Sequence, residues 1–239
     1  DEHARARAAL RALAGEEGAR AFRERLESTD PDTLARKVGE AQAELAAAKA
    51  DRNARAENTE VEAHLKANLN DLAKYYHAEA QRDGNKRDYQ QAADWYRKYL
   101  AYFPDDEDSA TTNFLLAEIL FESEDYGAAT EEYERTSYAY PFHEKSAEAG
   151  YAALLAYREH EQSLSGAARA EWHQAYLDSG LKFADTYPEH PEAGAVLTAV
   201  AEDLFRQNRF DSAIAVAETV VAKQPPVKPE LARTAWTVI

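Results

Sequence analysis

The chain contains no cysteine and no methionine among its 239 residues. Without thiols, disulfides, thiolate metal sites and cysteine nucleophiles are all excluded. Because the sequence lacks a start methionine, we expect a mature or excised fragment from which any signal peptide has already gone. No apolar run approaches the about 18 residues that a membrane-spanning helix needs, so we predict no membrane span.

Residue patterns that support catalysis are also missing. None of the nine glycines forms a phosphate-cradling loop, and no serine lies in a G-x-S-x-G elbow. The seven histidines show neither i, i+4 pairing nor the spacing of metal ligands. We therefore predict a protein that is not an enzyme, with no catalytic residues, no metal site and no cofactor.

Negative charge is concentrated in one part of the chain. Lys and Arg number 28 against 44 Asp and Glu, which gives a formal net charge of −16. Residues 1–56 hold 11 of each sign, so the whole excess belongs to residues 57–239. Such a region argues against nucleic acid, whose phosphates require basic surfaces. It is compatible with a basic partner, or simply with a soluble, self-repelling surface.

A 37-residue period runs through the acidic region. Identical residues lie 37 positions apart at Tyr89 and Tyr126, Ala92 and Ala129, Tyr96 and Tyr133, and Pro104 and Pro141. A later copy starts at Phe210-Asp211-Ser212-Ala213 and ends at Pro225, 37 residues beyond Pro188. Self-similarity at this period predicts a stacked solenoid of helical hairpins.

The repeated residue types have a packing explanation. A small residue such as Ala92 lets two helices of a hairpin approach closely, and Tyr96, one turn later, fills the space beside that contact. Pro104 cannot continue a helix and ends the hairpin. First helices show matching apolar positions at Leu116, Ala117 and Leu120, at Ala153, Leu154 and Tyr157, and at Val200, Ala201 and Leu204.

These positions resemble the core positions of tetratricopeptide repeats over roughly residues 70 to 239. The resemblance implies an all-α fold, a right-handed α-solenoid of antiparallel helix hairpins, that serves as a non-catalytic protein–protein interaction scaffold. We expect an N-terminal helical hairpin or arm in residues 1–57 and the solenoid in 58–239. Its units end near Pro104, Pro141, Pro188 and Pro225, and a truncated further repeat follows.

Three local features add detail, and two of them leave alternatives open. The sequence predicts a helix over residues 1–27. The next helix carries a heptad seam made of Leu34, Val38, Ala41, Leu45 and Ala48. This second helix forms either an oligomerisation arm or a hairpin packed on the first repeat. Thr59 and Glu62 are spaced as a capping box, which predicts a helix from Asn58 to about Gln81. The unit between Pro141 and Pro188 has 47 residues, so near Ser163 either its helices are longer or a loop protrudes.

In tetratricopeptide repeats the first helices line a concave groove where partners bind. The resemblance places the groove positions at Thr111, Phe114, Glu118, Phe121 and Glu122, at Glu148, Tyr151, Leu155, Arg158 and Glu159, and at Ala195, Thr198, Glu202, Phe205 and Arg206. We predict partner contacts at all of these except Thr111, Glu148 and Ala195. Aromatic residues alternate with carboxylates, which favours a basic or polar protein partner. The alternative is that Phe114, Phe121 and Phe205 are core residues.

Two subgroups of the family bear on the function. Chaperone-binding members use Lys, Asn and Arg as a carboxylate clamp, and Phe114 and Glu118 stand where that clamp is expected, so we predict no chaperone clamp. The segment from Tyr96 to Glu134 looks like the repeats of bacterial envelope proteins. That likeness implies a periplasmic or outer-membrane-associated scaffold, with a cytoplasmic location as the alternative. The other functions left open are a polysaccharide- or peptidoglycan-binding module, suggested by the 14 tyrosines, and an auxiliary region of a larger export protein.

Overall fold

The computed structural model describes residues 31–49 and 55–239. Within them it contains ten α-helices and no β-strand, which confirms the predicted all-α class. The helix predicted for residues 1–27 lies outside the described residues. The ten helices are α1 (Pro31–Lys49), α2 (Arg55–Asp83), α3 (Lys86–Tyr102), α4 (Ser109–Glu122), α5 (Tyr126–Tyr138), α6 (Ser146–Glu161), α7 (Gly166–Thr186), α8 (Ala193–Arg206), α9 (Phe210–Ala222) and α10 (Pro229–Val238).

The chain forms two compact units, with the boundary between Glu132 and Tyr133 inside α5. In the first unit, α1 packs on α2, α2 on α3, and α3 on α4. Val38 and Ala41 of the heptad seam share a core with three leucines of α2, so this part of the seam packs within the chain. The side chains of Leu34, Leu45 and Ala48 lie outside the described residues.

The connection between α2 and α3 is short. Helix α2 begins at Arg55, so Thr59 and Glu62 of the predicted capping box lie inside it rather than at its start. Only Gly84 and Asn85 separate it from α3. Gly84 adopts φ +64°, which an L side chain disfavours, and the Asn85 side chain accepts from the Arg87 amide at 3.0 Å and caps α3.

The acidic connector after α3 is fixed to the helices of the first unit. Asp106 accepts hydrogen bonds from Lys66 Nζ at 3.0 Å and from Tyr99 Oη at 3.0 Å. Its pKa is lowered because these bonds, with that from the Asp108 amide, outweigh the effect of burial, which alone would raise it. The carboxylate is therefore held by opposite charge and by donors from two helices.

In the second unit, α7 packs on α6 and α8, and α8, α9 and α10 pack on one another. The core includes Leu177 and Phe183 of α7 and Val200 of α8. Helix α7 has 21 residues against 13 in α9, and only four residues separate it from α6. The extra length near Ser163 therefore lies mainly in α7 rather than in a protruding loop.

Among the positions that recur with the period, the alanines and the aromatic residues one turn after them are buried, whereas Pro104 and Pro141 are exposed. Ala92, Ala129 and Ala213 are fully buried, and so are the aromatic rings of Tyr96 and Tyr133. The recurring first-helix positions are buried as well: Leu116, Ala117, Leu120, Ala153, Leu154, Tyr157, Val200, Ala201 and Leu204.

Every helix of the described part of the chain is too short or too polar to cross a bilayer.

Candidate functional site

Most of the predicted contact residues of the first unit are inside it. On α4, Phe114, Glu118 and Phe121 are each less than a tenth exposed. The Phe121 ring meets Tyr126 edge-to-face, with centroids 5.1 Å apart. These three predicted contact residues are therefore buried within the first unit.

Glu122, the fourth predicted residue of α4, belongs to a buried polar network. Gln81 Nε2 donates to Glu122 Oε1 at 2.9 Å and lies 3.1 Å from His77 Nε2. His77 Nδ1 lies 3.0 Å from Tyr96 Oη. Because the amide nitrogen of Gln81 can only donate, His77 Nε2 is the acceptor and the imidazole proton is on Nδ1, which donates to Tyr96 Oη.

Burial fixes the charge state of this network. It lowers the pKa of His77 to about 4, so the imidazole is neutral in the neutral pH range. It also raises the pKa of Tyr96, and the carboxylates of Glu122 and Glu118 add to that shift. The network joins α2, α3 and α4 through neutral groups and one carboxylate, which is a structural arrangement.

His77 was not singled out from the sequence, although the residue pattern of α2 indicates that this side chain is buried. Leu65, Leu69 and Ala73 are buried at intervals of four residues along α2, and His77 is the next position of that stripe. A histidine on an apolar helical stripe must find polar partners or neutralise. Its partners come from two other helices, which spacing within α2 does not reveal.

In the second unit, the predicted residues of α6 lie nearer the surface. Tyr151, Leu155 and Glu159 are partly buried and Arg158 is exposed. The Tyr151 ring packs on Phe183 and His190, with centroids 6.0 and 5.5 Å away. Leu155, Arg158 and Glu159 occupy one side of the last turns of the helix.

The predicted residues of α8 comprise one buried side chain and three more accessible ones. Thr198 is buried, and its hydroxyl donates to the Gly194 carbonyl at 2.8 Å. Glu202 is partly exposed, and Arg206 is exposed and ion-paired with it at 3.8 Å. Phe205 is 44% exposed, and its ring meets exposed Phe210 edge-to-face at 5.2 Å.

The accessible side chains of α6 and α8 suit non-covalent contacts. Partly exposed carboxylates, exposed guanidiniums and an exposed phenylalanine pair supply charged and apolar contacts of the kind found in protein interfaces. No group of three or more metal-ligating side chains comes together among residues 31–49 and 55–239. The structure therefore offers a candidate non-covalent binding surface on α6 and α8.

Comparison with known proteins adds no family assignment: no protein-family model matches the chain, and no curated protein matches it either. Function is therefore inferred from the chain's own residues.

Proposed function

We propose that the protein is a non-catalytic protein–protein interaction scaffold, built as a right-handed α-solenoid of tetratricopeptide-like antiparallel hairpins. The observation that carries the proposal is the division of residues along α6 and α8. Ala153, Leu154 and Tyr157 of α6 are buried, whereas Leu155 and Glu159 are partly buried and Arg158 is exposed. On α8, Val200, Ala201 and Leu204 are buried, whereas Phe205 and Arg206 are exposed. Repeat proteins separate packing from recognition in this way.

The proposed contact residues are the accessible members of the predicted set. The apolar contacts come from Tyr151, Leu155 and Phe205, and aromatic and arginine side chains commonly carry interface binding energy. Charged contacts come from Arg158, Glu159, Glu202 and Arg206. The carboxylates of Glu159 and Glu202 favour a basic segment of the partner. Buried Phe114, Glu118, Phe121 and Thr198, and Glu122 in its network, support the helices instead.

The tyrosines support protein binding over glycan binding. A glycan platform needs exposed aromatic rings, yet among the 14 tyrosines, all of them in the described part of the chain, only Tyr102 is exposed. The rings are used mostly for packing between helices. We place the scaffold in a bacterial envelope assembly, periplasmic or outer-membrane-associated, and the support for that location is the resemblance of the segment from Tyr96 to Glu134.

The test is affinity capture from a native envelope extract with a charge-neutral double variant, Glu159→Gln with Glu202→Gln. The matched control is Glu171→Gln with Glu218→Gln, which removes two exposed carboxylates from α7 and α9. Exposed charges contribute up to about 1 kcal/mol each, so we expect the α6 and α8 variant to lose several-fold in affinity and much of its salt dependence.

The control should recover the partner as well as the unmodified chain does. Equal recovery by all three chains would remove the binding surface from α6 and α8. Recovery of a polysaccharide instead of a protein, unaffected by either double variant, would contradict the proposal itself.

A further inference from the structure

Two connectors of the second unit use a histidine side chain at the start of the next helix. His143, in the connector before α6, accepts through Nδ1 from the Lys145 amide at 3.3 Å. His190, in the connector before α8, accepts in the same way from the Glu192 amide at 3.2 Å. Lys145 and Glu192 are the N-cap residues, and neither side chain makes a capping hydrogen bond. The imidazoles therefore supply side-chain acceptors just ahead of both helices.

The acidic connector of the first unit has the same design, with a carboxylate in place of the imidazole. Asp106 follows its proline by two residues, as both histidines do, and its Oδ1 accepts from the Asp108 amide at 2.9 Å. The main-chain carbonyls of Asp106, His143 and His190 each accept from the amide three residues on, at 3.0, 3.0 and 2.9 Å. The three connectors thus differ mainly in the chemistry of this one acceptor.

An imidazole acceptor responds to pH where a carboxylate acceptor does not. An imidazole nitrogen accepts only while it carries no proton, so both histidines have their proton on Nε2 in this arrangement. His143 Nε2 lies 3.4 Å from the Thr136 carbonyl oxygen of α5, which can accept that proton. Uptake of a second proton turns Nδ1 into a donor that faces the amide, and the hydrogen bond is lost. The pKa of Asp106 is lowered, so its carboxylate remains an acceptor.

The surroundings of His190 favour the neutral imidazole. The ring lies near Tyr151 of α6 and Phe183 of α7, with centroids 5.5 and 5.0 Å away. Burial lowers the pKa of His190 and outweighs the carboxylates of Glu192 and Glu148, which raise it. The folded second unit therefore binds this proton less readily than the unfolded chain does.

Other charged side chains of both signs stand at the two connectors. Around His190 they are Glu189, Lys223 and Lys228, and around His143 they are Glu144 and Lys145, which pairs with Glu148 at 2.9 Å. Because each connector has positive and negative neighbours, the main consequence of protonation is loss of the acceptor rather than repulsion by like charge.

We propose that the connectors before α6 and α8 are a pH-sensitive element, in which protonation of His143 and His190 releases the Lys145 and Glu192 amides and loosens the starts of both helices. The unfolded chain takes up the His190 proton first, with a pKa of 6.5, so the free energy of unfolding of the second unit falls as the pH is lowered below that value. The effect is separate from that of His77, which lies in the first unit.

The experiment is NMR spectroscopy of the ¹⁵N-labelled chain between about pH 7.5 and about pH 5. At the upper end, the imidazole ¹⁵N shifts should report the Nε2–H tautomer for His143 and His190. On acidification, the amide signals of Lys145 and Glu192 should move with protonation of their own imidazoles. Their protection against hydrogen exchange should fall about fivefold, because a neutral hydrogen bond has a modest net strength. The Asp108 amide is the internal control and should follow neither imidazole.

Matched variants separate the acceptor from the titrating group. His143→Asn with His190→Asn keeps a side-chain acceptor that does not titrate, so protection should persist at all pH values. Alanine at both positions should lose it at all pH values. His64→Asn, which removes an exposed imidazole from α2, should leave the response of the second unit unchanged. Circular dichroism verifies that each variant is folded.

Three results would overturn the inference. The first is an Nδ1–H tautomer of both histidines near neutral pH. The second is amide signals of Lys145 and Glu192 that stay fixed while the imidazoles take up protons. The third is an unchanged pH response of those amides in the double asparagine variant.

A consequence for partner binding rests on the proposed function. Tyr151, a proposed contact residue, packs on His190, so release of this connector alters the binding surface. Capture of the partner should therefore weaken at about pH 5.5 with the unmodified chain and less with the double asparagine variant. Equal weakening of both chains would separate the connectors from binding. Failure to capture a protein at either pH would contradict the proposed function alone, because the NMR titration needs no partner.

Discussion

Replacing Gly150 with alanine should destabilise the second unit. Gly150 lies inside α6, where an added Cβ atom would stand 2.8 Å from Ser137 Oγ and 3.0 Å from Phe183 Cδ2. Ser137 cannot withdraw freely, because its hydroxyl lies 2.9 Å from Tyr187 Oη and its carbonyl accepts from that tyrosine at 2.8 Å. The glycine thus permits a close contact that no other residue type allows.

The size of the effect follows from opposing contributions. Alanine is favoured over glycine inside a helix by up to about 1 kcal/mol. Overpacking a core costs roughly 1–3 kcal/mol, and displacing the Ser137 hydroxyl costs about 1 kcal/mol more. We therefore expect Gly150→Ala to lower the free energy of unfolding of the second unit by about 1–3 kcal/mol.

The matched control is Gly39→Ala. Gly39 lies in α1, is exposed, and has no atom within 4 Å of an added Cβ, so alanine there should stabilise the first unit by about 1 kcal/mol. Urea denaturation, followed by circular dichroism and tryptophan fluorescence, measures both. If Gly150→Ala were as stable as the unmodified chain while Gly39→Ala gained stability, the close packing around α6 would be refuted.

Three further perturbations test other parts of the structure. Tyr187→Phe removes both hydrogen bonds to buried Ser137 and should cost about 1–3 kcal/mol in urea denaturation. The pKa of His77 is about 4 in the folded state against 6.5 in the unfolded state, so the unfolded chain takes up the proton first as the pH is lowered. The free energy of unfolding should therefore fall by about 3 kcal/mol as the pH is lowered from 6.5 to 4, and His77→Gln should flatten that dependence. Asp106→Ala, which removes the acceptor of two side-chain hydrogen bonds, should lower the melting temperature by several degrees, whereas exposed Asp105→Ala should leave it nearly unchanged.

Much of the helical arrangement was predictable because its determinants are local. The first-helix positions predicted at Leu116, Ala117 and Leu120 lie in the helix Ser109–Glu122, and the repeat positions Ala129 and Tyr133 lie in the helix Tyr126–Tyr138. Prolines and the alternation of small and apolar residues define such segments without tertiary information. The long α7 was one of two open outcomes, and the absence of proline between Gly166 and Thr186 is consistent with it.

Burial at the candidate site was harder to predict. A helix register shows which residues share a face, but not how much of that face neighbouring helices cover. Phe121 and Phe205 hold the same register position, yet the first is 6% exposed and the second 44%. Glu161, His173 and Asp203 likewise meet from three different helices, so no sequence spacing reveals their contacts.

Site-specific photo-crosslinking tests the central claim, protein binding through the accessible face of α6, most directly. A benzophenone amino acid is placed at Leu155 in one chain and at exposed Glu218 of α9 in another, and each is irradiated in native extract. The proposed function predicts a discrete protein adduct from position 155 and none from position 218. An adduct from position 218 alone, or a captured partner that never crosslinks to position 155, would contradict it.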